Sequence, residues 1–345
     1  MPLGCLKPYL EGARGRYNTH LFIMEVNQLL SQTNDYLSSL GYPSSPELLY
    51  RPVEYALEAG GKRLRPLFVL MSYGLFADDY ERAMPCAAAI EVFHNFTLLH
   101  DDIMDNAPLR RGRPTVWNRW GENVAILSGD AMIISSYSLL AKAPAHLLQR
   151  VMECFNRVAM QVCEGQQYDM DFESRQTVEQ SEYINMIALK TSVLFEGAIE
   201  IGAILGGADE QNIALLKEFA LEFGLAFQLQ DDLLDSYGDS RLGKSVGGDI
   251  LEGKKTFLMI SALNSATDED REALGTICHD NSLTSEQKIA HTLAIYDHYD
   301  VKTRTEAEIN RRFEKALNAL SKVEANADAL ATLREFVEGL MNRDK

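Results

Sequence analysis

Two aspartate triplets carry the clearest chemical signal in this 345-residue sequence, Asp101-Asp102-Asp105 and Asp231-Asp232-Asp235. In each, the first and third members are four residues apart, so on a helix they project from one face with the middle carboxylate beside them. Like charges so placed repel by about 0.2–0.5 kcal/mol per pair in water, and by more where neighbours exclude solvent. The neighbours are apolar: Leu98-Leu99 and Ile103-Met104 at the first triplet, Leu229 and Leu233-Leu234 at the second. Such carboxylates line a cleft and need cations. Oxygen-only ligands with no cysteine at either place favour a hard ion, and Mg²⁺, which couples a few carboxylates to substrate phosphates, fits better than zinc. A single DDxxD is more often a solvated helix turn; two in apolar context reverse that reading.

A diphosphate partner needs basic groups, and these cluster in turns bounded by Gly and Pro. The first is Gly60-Gly61-Lys62-Arg63-Leu64-Arg65-Pro66, the second Arg110-Arg111-Gly112-Arg113 just after the first triplet. Backbone amides and arginine forks in such turns suit phosphate oxygens, although each turn alone could be a solvated basic loop. A third group, with Lys244 in Gly243–Asp249 and Lys254 in Glu252–Thr256, reads as a phosphate-closing loop. It is not a P-loop, because no strand precedes it and the GxxxxGK[ST] order is absent. The formal charge of −17 excludes nonspecific attraction to nucleic acid or anionic lipid. Glu91-Val92-Phe93-His94 is a Glu-x-x-His element, which a di-iron helical bundle would use twice; no second copy is found. His94 alone, on an apolar helix, reads equally as a satisfied core residue or a ligand.

These groups need rigid carriers, and the pattern predicts helices. From Leu21 onward apolar residues recur at helical spacing, while period-two runs are scarce, so the expected class is all-α. Pro85 to Asp105 and Gln211 to Tyr237 are too long for strands, and each ends in an aspartate triplet. No low-complexity linker divides the middle, so one helical domain over residues 21–345 is expected, preceded by a poorly ordered leader over residues 1–20. The composition, 46% hydrophobic and 24% charged, is that of a globular chain. The five scattered cysteines carry no CxxC pair, and the most apolar long window, Val124 to Ala141, is broken by Asp130 and several serines. A cytoplasmic protein with no transmembrane segment is therefore expected.

The motifs GGKRLRP, LLHDDIMDNAPLRRGRPT, Lys190-Thr191, FQLQDDLLD and GKSVGGDILEGKKT, in that order over roughly residues 45 to 260, resemble those of the trans-isoprenyl diphosphate synthases. The resemblance implies one large helical bundle around a deep central cavity, usually homodimeric, with the two aspartate clusters facing each other at its mouth. It implies three Mg²⁺ ions, with Asp101, Asp105 and Asp231 as main ligands and Asp102, Asp232, Asp235 and Asp249 binding directly or through water. By the same carry-over, Arg110, Lys190 and Lys244 hold an allylic diphosphate, and Lys62, Arg65, His94 and Arg111 hold isopentenyl diphosphate.

The implied reaction is ionisation of the allylic diphosphate, attack of the isopentenyl double bond on the cation, and loss of a proton to the released diphosphate. The Thr191 hydroxyl, the Lys190 carbonyl and the Gln228 amide oxygen would stabilise the cation by their dipoles. The hydrocarbon tail would grow along the helix that bears Asp101, so Phe96 and Phe93, about 7.5 and 12 Å along its axis, are candidates for the floor of the cavity. Ordinary core packing is the competing reading for both. In the family, an aromatic residue at the Phe96 position marks short products, and the first cluster lacks the two-residue insertion of many bacterial farnesyl synthases. Geranylgeranyl diphosphate is thus expected ahead of farnesyl diphosphate. The alternatives are a longer-chain synthase, a metal-binding helical bundle with no isoprenoid role, a noncatalytic regulatory subunit or a class I terpene cyclase. The last two would have lost or replaced aspartates that are all present here.

Overall fold

Helices occupy most of the chain in a computed structural model that describes residues 19–238 and 247–341. The expected leader falls, apart from its last two residues, outside the described residues, and so does Lys244. The chain resolves into two compact units. Unit 1 comprises residues up to Asn156 together with Gly197–Ala214 and the segment from Val323, and unit 2 comprises Arg157–Glu196 and Leu215–Lys322.

The early helices are α1 (Thr19–Ser38), α2 (Glu47–Glu58), α3 (Leu64–Gly74) and α4 (Met84–Met104). A short hairpin of β1 (Leu109–Arg110) and β2 (Arg113–Pro114) follows, with Arg110 paired to Arg113. Its two loop residues, Arg111 and Gly112, both have positive φ, as the type I′ turn of a two-residue hairpin requires. Next come α5 (Val116–Trp120), α6 (Glu122–Leu140), α7 (Leu148–Ser174) and α8 (Gln180–Ile187). A π-helical turn over Ala188–Ser192 leads into α9 (Val193–Gly206), then α10 (Glu210–Tyr237) and α11 (Gly248–Glu252). The rest is α12 (Phe257–Ser265), α13 (Asp268–Thr276), α14 (Ser285–His298), α15 (Val301–Leu320) and α16 (Ala327–Met341).

In unit 1 the central element is α4. Pro85 sits in its first turn, where the missing N–H costs nothing and the fixed φ favours the helix. Ala87, Ala88, Ile90, Val92 and Phe93 are fully buried, and each large apolar side chain so buried contributes about 1.5–3 kcal/mol. The helix stops in a Schellman motif: Ala107 N–H donates to Asp102 O at 3.0 Å and Asn106 N–H to Ile103 O at 3.2 Å, with Asn106 in the left-handed region. That stop places the first aspartate triplet on the last turn.

Against α4 packs α6, burying Ala125, Ser128, Gly129, Met132, Leu139 and Leu140. By length and composition α6 could cross a bilayer, in contrast to the expectation drawn from Asp130 and its serines; 39% of its apolar window is buried within the protein. Its outer side keeps Ile126, Leu127 and Ile134 exposed. In unit 2 a second apolar cluster of Leu258, Met259, Ala262, Leu274, Tyr296 and Val301 packs under Leu233 and Tyr237 of α10, and so anchors the helix end that bears the second triplet.

Candidate active site

In unit 1 the structure places ten of the expected residues on or beside the C-terminal half of α4: Lys62, Arg65, Phe93, His94, Phe96, Asp101, Asp102, Asp105, Arg110 and Arg111. Three carboxylates on the last turn face the negative pole of the helix dipole, an arrangement that is favourable only with cations nearby. Arg110 supplies one, donating from Nε to Asp102 Oδ1 at 2.6 Å and from Nη2 to Asp101 Oδ2 at 3.1 Å. Asp102 is buried whereas Asp105 is exposed. Burial pushes the Asp102 carboxyl up, against the pull of Arg110. The middle aspartate is therefore an anchor for the hairpin arginine, and its outer neighbours are the more open to a metal ion.

The basic turn before α3 meets the same helix. Arg65 Nη1 lies 3.1 Å from His94 Nε2, and Arg111 Nη1 donates to Gly60 O. Gly61, at φ +142°, is approached so closely by the Arg111 guanidinium that a Cβ there would come within 2.8 Å of it. Desolvation, then Arg65, Arg111, Arg110 and Arg63, hold the His94 imidazole well below its ordinary pKa, so the ring is neutral at physiological pH. A small pocket beside these groups is lined by Ala56, Asn95, Leu99, Asp102, Arg110 and Arg111.

The two phenylalanines differ. Phe93 is fully buried, its ring 5.1 Å from that of Phe155 and 5.5 Å from that of Phe96. Phe96 is only partly buried and stacks edge-on with His100 at 4.7 Å. Phe96 is thus the ring that a bound chain could reach, with Phe93 behind it.

In unit 2 the π-helical turn presents Lys190 and Thr191. A Cβ at Gly165 of α7 would collide with the Lys190 backbone, so only glycine lets α7 approach this turn. Lys190 Nζ donates to Asp169 Oδ2 at 2.6 Å, Thr191 Oγ1 to Gln228 Oε1 at 3.1 Å, and Gln228 Nε2 to Asp232 Oδ1 at 2.9 Å. Asp232 also accepts from the Tyr183 hydroxyl at 2.5 Å. The Thr191 and Gln228 side chains are therefore oriented: with its proton committed to Gln228, the Thr191 hydroxyl keeps its lone pairs for another partner.

The segment following the undescribed residues folds back on the second triplet. Gly247 N–H donates to Asp235 O at 2.6 Å and Asp249 N–H to Asp235 Oδ2 at 2.9 Å. Lys254 lies 2.8 Å from Glu252 and 3.9 Å from Asp249. Burial, then the Asp249 charge, pushes the Asp232 carboxyl up to about 8. Burial, then the Asp235 charge, pushes Asp249 up to about 7. Crowded carboxylates that hold protons near neutrality suit a hard divalent cation, which would displace them. Among the described residues no three His, Cys, Asp or Glu side chains are gathered closely enough to hold a metal alone, in keeping with the habit of Mg²⁺ to share few carboxylates with substrate phosphates.

Asp169 and Tyr183 were missed in the sequence. Neither sits in a charged cluster; the one available signal was Gly165, an isolated glycine four residues before Asp169 in a helical run, which marks a close approach.

The polyprenyl synthetase family model matches residues 46–296. A short chain isoprenyl diphosphate synthase of Methanocaldococcus jannaschii is 40% identical over 248 residues, 71% of this chain and 76% of the relative. A geranylgeranyl diphosphate synthase of Sulfolobus acidocaldarius is 36% identical over 323 residues, 90% of this chain and 96% of the relative. Among solved structures, a geranylgeranyl pyrophosphate synthetase from Pyrococcus horikoshii superposes with a TM-score of 0.88 at 32% identity, covering 95% of this chain and 100% of the other. With both triplets inside the matched region, the chain belongs to the polyprenyl synthetase family of prenyltransferases.

Proposed function

We propose that the chain condenses isopentenyl diphosphate with an allylic diphosphate to give a short all-trans product, with geranylgeranyl diphosphate favoured over farnesyl diphosphate. The observation that carries the product length is the position of Phe96, partly buried one and a half turns before Asp101 on α4 and backed by the fully buried Phe93. The names of the Sulfolobus and Pyrococcus relatives support the same length. A longer-chain synthase would need that position opened.

The proposed ligands of three Mg²⁺ ions are Asp101, Asp102, Asp105, Asp231, Asp232 and Asp235, with the buried Asp102 and Asp232 acting through their neighbours or water. When bound, the ions neutralise the charge that builds on the leaving diphosphate. Arg110, Lys190 and Lys244 are proposed to hold the allylic diphosphate, with Lys254 close to Asp249. Lys62, Arg65, His94 and Arg111 are proposed to hold isopentenyl diphosphate; the neutral His94 ring can offer a hydrogen bond without adding a fifth charge to the arginines around it. Thr191, the Lys190 carbonyl and Gln228 turn their oxygens to the allylic cation.

Both units would serve one prenyltransferase domain, since the family match runs through residues of each. The exposed apolar side of α6, with Leu127 58% and Ile134 65% exposed, supports a homodimer. The test is direct: purified protein, Mg²⁺, isopentenyl diphosphate and, in turn, dimethylallyl, geranyl and farnesyl diphosphate, with products separated by chromatography. A dominant twenty-carbon product is expected; no condensation with any primer would overturn the proposal.

A further inference from the structure

Glu91 opens the Glu-x-x-His element of α4, and no metal reading explains it. Its carboxylate is buried, 3% exposed, and its partner is an arginine in the basic turn. Arg63 Nη1 donates to Glu91 Oε1 at 2.5 Å, Arg63 Nη2 to Leu57 O at 2.6 Å, and Arg63 Nε to Asn34 Oδ1 at 3.3 Å. Asn95, one turn along α4, adds a donor to the same carboxylate oxygen at 3.1 Å. The turn's central arginine is therefore committed inward, to the end of α2, to α1 and to α4.

This commitment has a conformational side. Arg63 is in the left-handed region, φ 50° and ψ 33°, and is the N-cap of α3. A non-glycine residue persists there only when its surroundings hold it. The three-way clamp on its guanidinium does so, and the reversal of the chain at Arg63 separates Lys62 from Arg65. Arg65 is then held to α4 through His94, three residues after Glu91 and on the same helix face. Two arginines of one turn are thus fastened to one helix, Arg63 by Glu91 and Arg65 by His94.

The charge matters as well. Arg63, Arg65, Arg110 and Arg111 all act on His94, so the neighbourhood is strongly cationic. Glu91 is the buried anion within it, and its field reaches Arg111 too. Without that anion, Arg63 would be a buried cation with no counter-ion, the costliest way to leave such a pair, and the turn would yield.

We propose that Glu91 is a positioning residue for isopentenyl diphosphate: through Arg63 it fixes the Gly60–Arg65 turn in the shape that aims Lys62 and Arg65 at the diphosphate. The inference rests on the assignment of that turn to isopentenyl diphosphate and goes beyond it, because Glu91 itself, being an anion, touches no diphosphate.

The experiment compares wild type with Glu91→Gln and with the paired variant Glu91→Gln/Arg63→Gln, which removes both charges and so stays folded if the single variant does not. In each protein that keeps its helical circular dichroism, KM is measured for isopentenyl diphosphate and for the allylic primer, and isopentenyl diphosphate binding is measured by calorimetry. The expected result is a rise of about tenfold or more in the isopentenyl KM and Kd, with the primer KM changed by less than about twofold. The paired variant should be no worse than the single one, because both break the same clamp. A folded variant with the wild-type isopentenyl KM and Kd, or with both substrates weakened equally, overturns the inference. A wild type that binds isopentenyl diphosphate but turns over no primer overturns the proposed function instead, and the calorimetric comparison then still decides the role of Glu91.

Discussion

The Tyr183 hydroxyl donates to Asp232 Oδ2 at 2.5 Å, with both side chains buried. Burial, then the Asp232 charge, pushes the Tyr183 hydroxyl well above its ordinary pKa, so it remains a donor at any working pH. Together with Gln228 it gives Asp232 one donor on each oxygen, which fixes the middle member of the second triplet between the partly exposed Asp231 and Asp235. Replacing Tyr183 by Phe removes one donor from a buried carboxylate and should cost about 1–3 kcal/mol of stability. Turnover should fall about tenfold or more, as when an outer partner of a metal ligand is lost. Thermal denaturation and steady-state kinetics measure both; a variant with wild-type melting temperature and kcat would show that the bond is idle.

The proposed metal binding should depend on pH through Asp232 and Asp249, and the direction follows from their protons. Their folded-state pKa values, about 8 and about 7, lie above the ordinary aspartate value near 4. Between these limits the folded chain holds protons that the unfolded chain has released, so their contribution to stability falls as pH rises from about 4 to about 8. A Mg²⁺ ion held beside these carboxylates as proposed would favour their ionised forms, so its affinity should rise over the upper part of that range. In differential scanning fluorimetry without metal, wild type should lose stability from pH 6 to pH 8.5 relative to Asp232→Asn, and the stabilisation given by Mg²⁺ should grow. A Mg²⁺ shift equal at both pH values would refute the coupling.

Asp101→Ala and Asp231→Ala test the outer members. Asp101 is partly exposed and shares Arg110 with Asp102, while Asp231 is partly exposed on α10. Both are short, partly exposed side chains, so stability changes of about 1 kcal/mol or less are expected. Turnover should fall below detection in each, as should the activity of wild type treated with a chelator and its recovery in calcium rather than magnesium. Loss of helical circular dichroism would instead indicate a structural role.

Much of this was legible in the residues. Helical spacing predicted the class, Pro85 and Asn106 bracket α4 as capping rules require, and the order of the Asp, Arg and Lys motifs pointed to the family. What was not legible is where a side chain's partner lies far along the chain. Arg63 belongs to a basic motif, but its left-handed backbone and its distant partner Glu91 turn it inward. Tyr183 looks like any aromatic on an amphipathic helix until α10 brings Asp232 to it. Gly165 signals a close approach, but that the backbone it meets is the π-helical turn at Lys190 only the packing reveals.

The floor of the proposed cavity can be tested with two substitutions expected to differ. Phe96 is partly exposed, whereas Phe93 is wedged against Phe155 with no exposed area. Phe96→Ala should lengthen the product by at least one isoprene unit with modest loss of stability. Phe93→Ala should cost about 3–5 kcal/mol by opening a core cavity, and should add length only in combination with Phe96→Ala. Chromatography of the products after exhaustive reaction distinguishes the cases; unchanged product length in all three variants would remove the phenylalanines from the chain-length role.

The outer side of α6 bears on assembly. Ile126, Leu127 and Ile134 are 37%, 58% and 65% exposed, and residues seven and eight apart lie on one helix face. They form an apolar stripe on a helix whose opposite side is locked onto α4 through Ala125, Gly129 and Met132. A stable dimer needs about 800 Å² covered on each partner, and apolar residues that stand at the centre of such a patch tolerate charge poorly. Leu127→Glu with Ile134→Glu should therefore shift the sedimentation coefficient from dimer to monomer without changing helical content, since neither side chain supports the fold. Because α6 packs on the helix that carries Asp101 and Phe96, the monomer should also be less active and less uniform in product length. A variant that sediments as wild type would move the interface to another face.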